Sequence, residues 1–421
     1  MTTATPKSPY KVRAVACDYR TSETGVYEAL KRATEPLTET WDRLRKAKRI
    51  GIKFNHDKEI KNRVYFEGQL QQLVTHKTAR AFLRLLREKT DAELVAPDVS
   101  FYTMYHEGTT LEQTVTFADI FKEFGVEYIN GIEPPHKTVS VPGGGQMFKE
   151  YVLPEGAVDV DEFISVAKLK NHAFMGVTLS LKNLFGLMVG EPDGKTRTYY
   201  HHLVRMPYML ADLGRIFDPA LCIIDGLIGQ AGMEWGKGRG DGPGRICNTL
   251  IAGNHTIATD ACAAYLMGHD PESDWLTQPF VRDRNSLLAA TEGGFGTVKL
   301  DEIDFKSEVT APVGHFYSVQ TDPTEINVSW RRTTAEQALH YLDHKQELVD
   351  AYAGEYILLQ EGEVKWHDPL SDLRVSRRIL SGDKPEQAMW MKYVDPAEQE
   401  GEHFEVYDHA LQQVQALATT S

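Results

Sequence analysis

Short apolar runs alternate with amphipathic stretches through the first three quarters of the chain. Strand-like length and composition occur at residues 12–16 and 49–55, whereas apolar residues recur at helical spacing in 22–41 and 69–89. Strands that alternate with helices at this pace are typical of a parallel sheet with crossover helices. The pattern therefore predicts the α/β fold class.

A second α/β unit is predicted to begin near residue 161. Residues 163–168 have the pattern of a buried strand, and 220–225 form another apolar run that ends on Asp225. A glycine-dense stretch, 226–244, follows that carboxylate. Open α/β sheets bind their ligands in the loops that follow the strands, so we expect a functional site in this unit.

The pattern changes after about residue 305, where helices are mixed with a short hairpin. We therefore predict a flexible arm at 1–11, an α/β lobe at 12–160, a second α/β lobe at 161–305 and a small α+β appendage at 306–421. Parallel or mixed sheets with crossover helices are expected in the two lobes. The appendage is expected to be removable as a unit, because its core looks separate in the sequence.

Composition and charge exclude several classes of protein. The 421 residues include 46 Lys and Arg against 60 Asp and Glu, a net charge of −14, so nucleic acid is not an expected partner. No apolar run approaches the roughly 18 residues that cross a bilayer, and the first residues contain no apolar segment of a signal peptide. We expect no membrane partner and a cytoplasmic location.

The four cysteines are widely separated and form no CxxC motif, so no iron–sulfur cluster is expected. Buried, reduced thiols are the favoured interpretation. They stand at the positions Cys17, Cys222, Cys247 and Cys262.

The stretch 168–186 is the most informative part of the chain. Within it, three lysines, two asparagines and a histidine crowd together in an otherwise acidic protein: Lys168, Lys170, Asn171, His172, Lys182 and Asn183. Clustered lysines lower one another's pKa and then serve as bases or anion clamps, and histidine exchanges protons near neutral pH or binds a metal. The alternative is a solvated basic loop with an asparagine anchored in the core. The position after a buried strand favours a functional site.

Other candidates lie at strand ends and in loops. Lys53 and Asn55 close a predicted strand, and Asp225 has the position of a catalytic or orienting carboxylate. Arg239 and Arg245 accompany glycines whose N–H groups could approach an anion, although a surface lid is an equal alternative. His201 or His202 could join His172 as metal ligands, although a loop role is favoured. Asp260, in an apolar helix, needs a partner that is either structural or part of the site.

The order of several motifs resembles one protein family. The chain reads AKLKNH, then GVTLSLKNLFG, HH, CIIDG, GDGPG and LIAGNHTIATDACAAYLMGHDP. This series, between about residues 165 and 305, resembles the domain of unknown function 362 family, and 12–160 resemble it only in outline. Many relatives carry a ferredoxin-like iron–sulfur segment, which this chain lacks. The resemblance implies a fold and site positions but no settled reaction.

Together these features predict an enzyme of unassigned reaction that acts on a small carboxylate or phosphate in a cleft between two lobes. An isomerase, a lyase and an oxidoreductase all remain open, as do the cofactor, which a divalent metal could be, and the oligomeric state. The alternative is a non-catalytic protein that binds or delivers an anion or cofactor. Convergence of His172 and Asp225 would favour the enzyme. The predicted roles are catalytic for His172, Lys182 and Asp225; substrate-binding for Lys53, Asn55, Lys170, Asn171, Asn183, Arg239 and Arg245; and metal-binding for His172, His201 and His202.

Overall fold

The computed structural model describes residues 9–100, 108, 110–190, 193–195, 197–234, 236, 242–320, 322–370, 380 and 389–420. Its strands are β1 Lys11–Ala16, β2 Arg49–Phe54, β3 Tyr65–Phe66, β4 Gln69–Leu70, β5 Glu93–Asp98, β6 Val126–Asn130, β7 His136–Ser140, β8 Glu150–Pro154, β9 Glu162–His172, β10 Gly176–Val177, β11 Leu221–Gln230, β12 Gly244–Gly253, β13 Asp304–Ser307, β14 Tyr356–Gln360, β15 Glu363–Asp368 and β16 Trp390–Tyr393.

Helices flank and connect these strands. They are α1 Glu23–Thr34, α2 Thr38–Lys46, α3 His76–Lys89, α4 Leu111–Thr114, α5 Ala118–Glu123, α6 Glu155–Val158, α7 Leu179–Asn183, α8 Arg197–Tyr200, α9 Arg205–Phe217, α10 Thr256–Leu266, α11 Ser286–Glu292, α12 Thr324–Asp343, α13 Lys345–Tyr352 and α14 Glu405–Thr420. Among the described residues, none of the helices combines the length and the apolar character that crossing a bilayer requires.

One mixed sheet organises the molecule. Its strand order is β13–β1–β12–β11–β9–β2–β5–β6, with β10 added beside β9. The strands β11, β9, β2, β5 and β6 run parallel, whereas β12 is antiparallel to both of its neighbours. The predicted α/β fold class is confirmed.

The two predicted lobes share this sheet. Strand β2, from the first segment, pairs with β9 from the second, and β1 pairs with β12 in the same way. The apolar side chains of Ile52 and Phe54 belong to the same buried core as Ile164 and Val166. Pairing β2 with β9 in one sheet buries the apolar side chains of both strands in that core. The segments 12–160 and 161–305 therefore contribute strands to one continuous sheet.

Each face of the sheet has its own core. On one face, Ile164 and Val166 of β9 pack with residues of α1, α2, α3 and α5. On the other face, Ala167 and Leu169 belong to a cluster that includes α9 and α10. Side chains alternate between the faces along a strand. Lys168, Lys170 and His172 consequently continue the face begun by Ile164 and Val166.

The C-terminal segment extends the second of these cores. Trp390 and Tyr407 are fully buried in the same cluster as Tyr199. A buried ion pair joins Arg205 of α9 to Glu402, with 2.8 Å between Nη2 and Oε1. The described residues of 306–421 therefore share both apolar packing and a buried charge pair with the rest of the chain, and whether they can be removed as a separate appendage stays a prediction.

A buried clamp holds the segment 70–75 across the sheet. Lys168 Nζ lies 3.5 Å from Asp225 Oδ2 and donates a hydrogen bond of 3.2 Å to the Leu70 carbonyl. Both charged side chains are completely buried. Asp225 Oδ2 in turn accepts a 2.6 Å hydrogen bond from the Thr75 backbone N–H, at the N-cap of α3. The ion pair therefore fixes where α3 begins.

Asp225 stands inside β11 and not at its end. The strand continues to Gln230 through an irregularity between Gly226 and Ile228. Asp225 Oδ1 accepts a hydrogen bond from the Leu227 N–H, so both carboxylate oxygens are engaged. The contacts of Asp225 are therefore structural ones, and the catalytic role expected from its position beside a glycine stays a prediction.

A chain that ends at residue 305 is expected to lose cooperative unfolding. The truncation removes Trp390 and Tyr407 from the core and leaves Arg205 buried without Glu402, and an unpaired buried charge is strongly destabilising. Near-UV circular dichroism and thermal unfolding of the truncated and full-length chains test this expectation. A truncated chain with a sharp transition and native aromatic signals would restore the separate appendage.

The substitution Asp225→Asn is expected to lower the free energy of unfolding by about 3–5 kcal/mol, because it leaves the Lys168 ammonium buried without a counter-charge. Urea unfolding measures the change. The double variant Lys168→Met with Asp225→Asn is the control, and it should recover part of the lost stability. Native stability in Asp225→Asn, together with lost ligand binding or activity, would favour the catalytic role instead.

Candidate functional site

The candidate site begins at the carboxyl end of β9. Lys170 Nζ donates a 2.8 Å hydrogen bond to the carbonyl of Gln72, on the segment that the clamp holds in place. Burial, assisted by the positive charges of Lys58 and Lys168, lowers the pKa of Lys170 to about 7. Lys170 can therefore gain or lose a proton near neutral pH.

His172, the last residue of β9, is held in one neutral form. Its Nδ1 accepts hydrogen bonds from the N–H groups of Phe174, at 3.0 Å, and Met175, at 3.2 Å. Burial and the charges of Lys182 and Lys170 keep the pKa of His172 well below 6.5. A neutral imidazole whose Nδ1 accepts must carry its proton on Nε2. His172 is thus a fixed Nε2–H donor.

Glu234 is the acid that faces this donor, and the sequence reasoning missed it. Its Oε1 lies 3.6 Å from His172 Nε2, and its Oε2 accepts a 3.0 Å hydrogen bond from the Ala173 N–H. It follows β11 within the glycine-dense stretch. An acid soon after a buried strand was the available signal, although it stands among many glycines and basic residues.

Helix α7 presents Lys182 from a rigid base. The Asp260 carboxylate accepts hydrogen bonds from the N–H groups of Ser180, at 2.9 Å, and Leu181, at 2.7 Å. Asp260 thereby has the structural partner that an acid in an apolar helix needs. Burial raises the pKa of Asp260 to about 7.

The Lys182 amine itself has few contacts. Its Nζ lies 4.1 Å from the centre of the Phe185 ring, and its side chain is 8% exposed. Among the described residues, no hydrogen-bond acceptor or carboxylate pairs with this amine. Burial and the charge of Arg197 hold the pKa of Lys182 well below 10.5.

Two arginines complete the group and were also missed. The Arg197 guanidinium lies 4.4 Å from the Phe185 ring centre, and that of Arg282 lies 5.1 Å from the Phe174 ring centre. Arg282 also pairs with Asp322 at 3.6 Å. Arg197 stands four residues before His201, and this spacing was a weak indication that it lies near the site. Nothing in the sequence indicated Arg282. We call the following set the cationic cluster: Lys170, Lys182, Arg197 and Arg282.

The adjacent histidines separate, as side chains of neighbouring residues do. The His201 ring lies 6.0 Å from that of His172 and 4.7 Å from that of Phe174. His202 is fully buried elsewhere, where its Nε2 accepts a hydrogen bond from the Met391 N–H at 3.4 Å. His202 therefore does not join the predicted metal ligands.

The remaining donors do not fit a metal centre. In the part of the chain that the structure describes, no group of three or more His, Cys, Asp or Glu side chains could hold a metal ion. Ligation by His172 Nε2 would require a proton on Nδ1, where two N–H groups already point.

Lys53 lies close by but is already neutralised. Its Nζ lies 2.8 Å from Asp98 Oδ2, and both side chains are buried. Asn183 Nδ2 donates to the Lys53 carbonyl at 2.9 Å, which ties α7 to β2. Gly186 leaves room for this lysine, since a Cβ there would stand 2.5 Å from Lys53 Cε. Asn55 has a buried side-chain oxygen that lacks a hydrogen-bond partner among the described residues.

Two predicted anion contacts, Asn171 and Arg245, are not brought to the cluster. Asn171 points to the opposite face of β9, where its Nδ2 donates to the Gly176 carbonyl at 2.9 Å. Arg245 donates to backbone carbonyls, including those of His315 at 2.5 Å and Gly242 at 2.9 Å. Arg239 lies outside the described residues.

Comparisons with known proteins agree with the resemblance seen in the motifs. A thylakoid-associated protein of Synechocystis sp. is 28% identical over 162 residues, which cover 35% of this chain and 48% of that protein. The chain therefore spans about half the length of this curated relative.

The model of the family named "Domain of unknown function (DUF362)" matches residues 60–265. This range takes in the clamped segment 70–75, where the motifs resembled the family only in outline, and it ends before residue 305. It also contains β9, α7 and most of the cationic cluster. Residues 60–265 of this chain belong to the DUF362 family.

Proposed function

We propose that this protein is an enzyme that binds a small carboxylate or phosphate anion at the cationic cluster and transfers a proton to or from it. The observation that carries the proposal is the Lys182 amine, which is buried and has no hydrogen-bond or ion-pair partner among the described residues. A buried charge without a partner is costly, and a bound anion would supply the missing partner.

The balance of charge supports an anionic ligand. Besides burial, the positive charges of Lys182, Lys170 and Arg197 all lower the pKa of His172. These three charges therefore lie close enough to the same imidazole to act on one bound anion. Glu234 has the opposite effect, because its negative charge raises the pKa of both Lys170 and Lys182. An anion bound there would interact strongly, because few water dipoles screen charges in a buried site.

Lysine, and not histidine, is the group suited to the proton transfer. A pKa of about 7 lets Lys170 act as acid or base near neutral pH. His172 cannot take a proton on Nδ1 without losing two hydrogen bonds from the backbone. Its proposed role is therefore to donate a hydrogen bond from Nε2, which replaces the proton transfer expected from the sequence.

A non-catalytic anion-binding or delivery protein remains the second candidate. One observation favours it. The carboxylate of Asp225 contacts Lys168 and Thr75, whereas the enzyme hypothesis expected it to converge with His172. The proton-transfer role of Lys170 distinguishes the enzyme from this alternative.

A cytoplasmic location is part of the proposal. Its support is chemical, because all four cysteines are buried and free, as expected in a reducing compartment. The thylakoid association of the Synechocystis protein is stated of that relative. Fractionation of cells that produce the tagged full chain would separate the two locations.

Inorganic phosphate or a small carboxylate is expected to raise the thermal midpoint of the wild-type chain, because it binds the folded state alone. Lys182→Met should weaken this binding about tenfold or more, since a charge-assisted hydrogen bond contributes roughly 1.5–3 kcal/mol. The same variant should unfold at an equal or higher temperature without ligand, because a buried amine that lacks a hydrogen-bond partner among the described residues is gone. Thermal shift and calorimetric titration measure both effects.

The matched control for this experiment is Lys299→Met, because the Lys299 side chain is 56% exposed. It should bind phosphate as the wild type does. Equal binding by Lys182→Met and the wild type would remove the cationic cluster as the anion site.

Anion affinity is expected to fall as the pH rises through about 7, because Lys170 then loses its charge. Without ligand, the stability of the folded chain is expected to change with pH in the opposite direction. The folded pKa lies below the unfolded value near 10.5, so the unfolded chain holds more protons between those values and stability rises with pH there. Calorimetric titrations and thermal midpoints over that range test both trends. A Lys170→Met variant with unchanged trends would contradict the assignment.

A further inference from the structure

The environment of Lys182 differs from that of Lys53 and Lys392, two other buried lysines. Lys53 has Asp98 at 2.8 Å, and Lys392 has both Glu400 and Glu402 at 2.7 Å. Each of these ammonium groups is stabilised as a cation by a carboxylate. Among the described residues, Lys182 has no such partner and faces the ring of Phe185 instead. The surroundings of Lys182 favour a neutral amine with a lone pair that is not hydrogen-bonded.

The backbone that carries this amine is held on both sides. Asp260 accepts the N–H groups of Ser180 and Leu181, and Asn183 donates to the Lys53 carbonyl and to Ser165 Oγ. A reactive group placed on a fixed helix has a defined direction of approach. The rigid base and the unpartnered amine together are the arrangement that a nucleophilic lysine requires.

We propose that Lys182 is a nucleophile that forms a Schiff base with a carbonyl group on the small anion, so that the ligand is a carbonyl compound bearing a carboxylate or a phosphate. This inference rests on the proposed function, because the cationic cluster must first hold the anionic end. Arg197 and Arg282 supply the positive charge for that end, and Lys182 Nζ meets the carbonyl carbon.

The chemistry balances without an external oxidant or reductant. The Lys182 lone pair forms the new C–N bond while the C=O π electrons move to oxygen, which takes a proton. Lys170, in its ammonium form, is the donor of that proton. The nitrogen of the carbinolamine then gives up its two protons, one back to Lys170 and one to the departing hydroxyl, which leaves as water, and the C=N bond remains. The sum is one amine and one carbonyl giving one imine and one water.

Reductive trapping tests the proposal directly. The full-length protein is incubated with glyoxylate, dihydroxyacetone phosphate or uncharged acetone, each with sodium cyanoborohydride, and its intact mass is measured before peptide mapping. We expect a single stable adduct on Lys182 from at least one anionic carbonyl, suppressed by excess phosphate. Glyoxylate and dihydroxyacetone phosphate distinguish a carboxylate from a phosphate ligand. Labelling by acetone to the same extent would overturn the anionic requirement.

Three variants sharpen the outcome. Lys182→Met removes the amine, and Lys182→Arg keeps a cation that cannot form this imine, so both should lose the adduct, whereas Lys299→Met should keep it. Adducts spread over several lysines in every variant would overturn the proposal. Phosphate stabilisation without any adduct would also overturn it and leave the proposed function standing. Loss of both signals would remove the proposed function as well.

Discussion

The buried ion pair of Lys168 and Asp225 is the constraint on which the site depends. Its members lie on neighbouring parallel strands and hold the segment 70–75 across the sheet through hydrogen bonds with Leu70 and Thr75. That segment then offers the Gln72 carbonyl to Lys170, two residues further along the same face of β9. Breaking one member of such a pair leaves an uncompensated buried charge, so the clamp and the site are stable only together.

Burial, more than the number of charges, gives the cationic cluster its chemistry. The chain as a whole is acidic, with 46 Lys and Arg against 60 Asp and Glu. Lys53 and Lys182 are buried to a similar degree, yet Lys53 is neutralised by Asp98 and ties α7 to β2 through its carbonyl. Lys182 differs by the absence of a carboxylate among its described contacts, and this difference separates a structural lysine from a reactive one.

The α/β class and the lysine-rich stretch could be predicted because both are local patterns. The alternation of strands and helices can be recognised in short windows of the sequence. The crowding of Lys170, His172 and Lys182 can be recognised in the same way. What could not be predicted is non-local. The pairing of β2 with β9 decides that there is one sheet, and the irregularity after Gly226 lets β11 continue past Asp225. Glu234 reaches His172 only through the folded path of the chain.

The two adjacent histidines show how the C-terminal segment bears on the site. Because neighbouring side chains point apart, His201 can contact His172 and Phe174 only if His202 points the other way. The Met391 N–H, on β16, holds the His202 ring in that opposite direction, and Glu402 holds Arg205 just beyond it. The C-terminal segment therefore positions one wall of the cationic cluster, in addition to pairing Asp322 with Arg282, and this is a physical reason for the two to share one core.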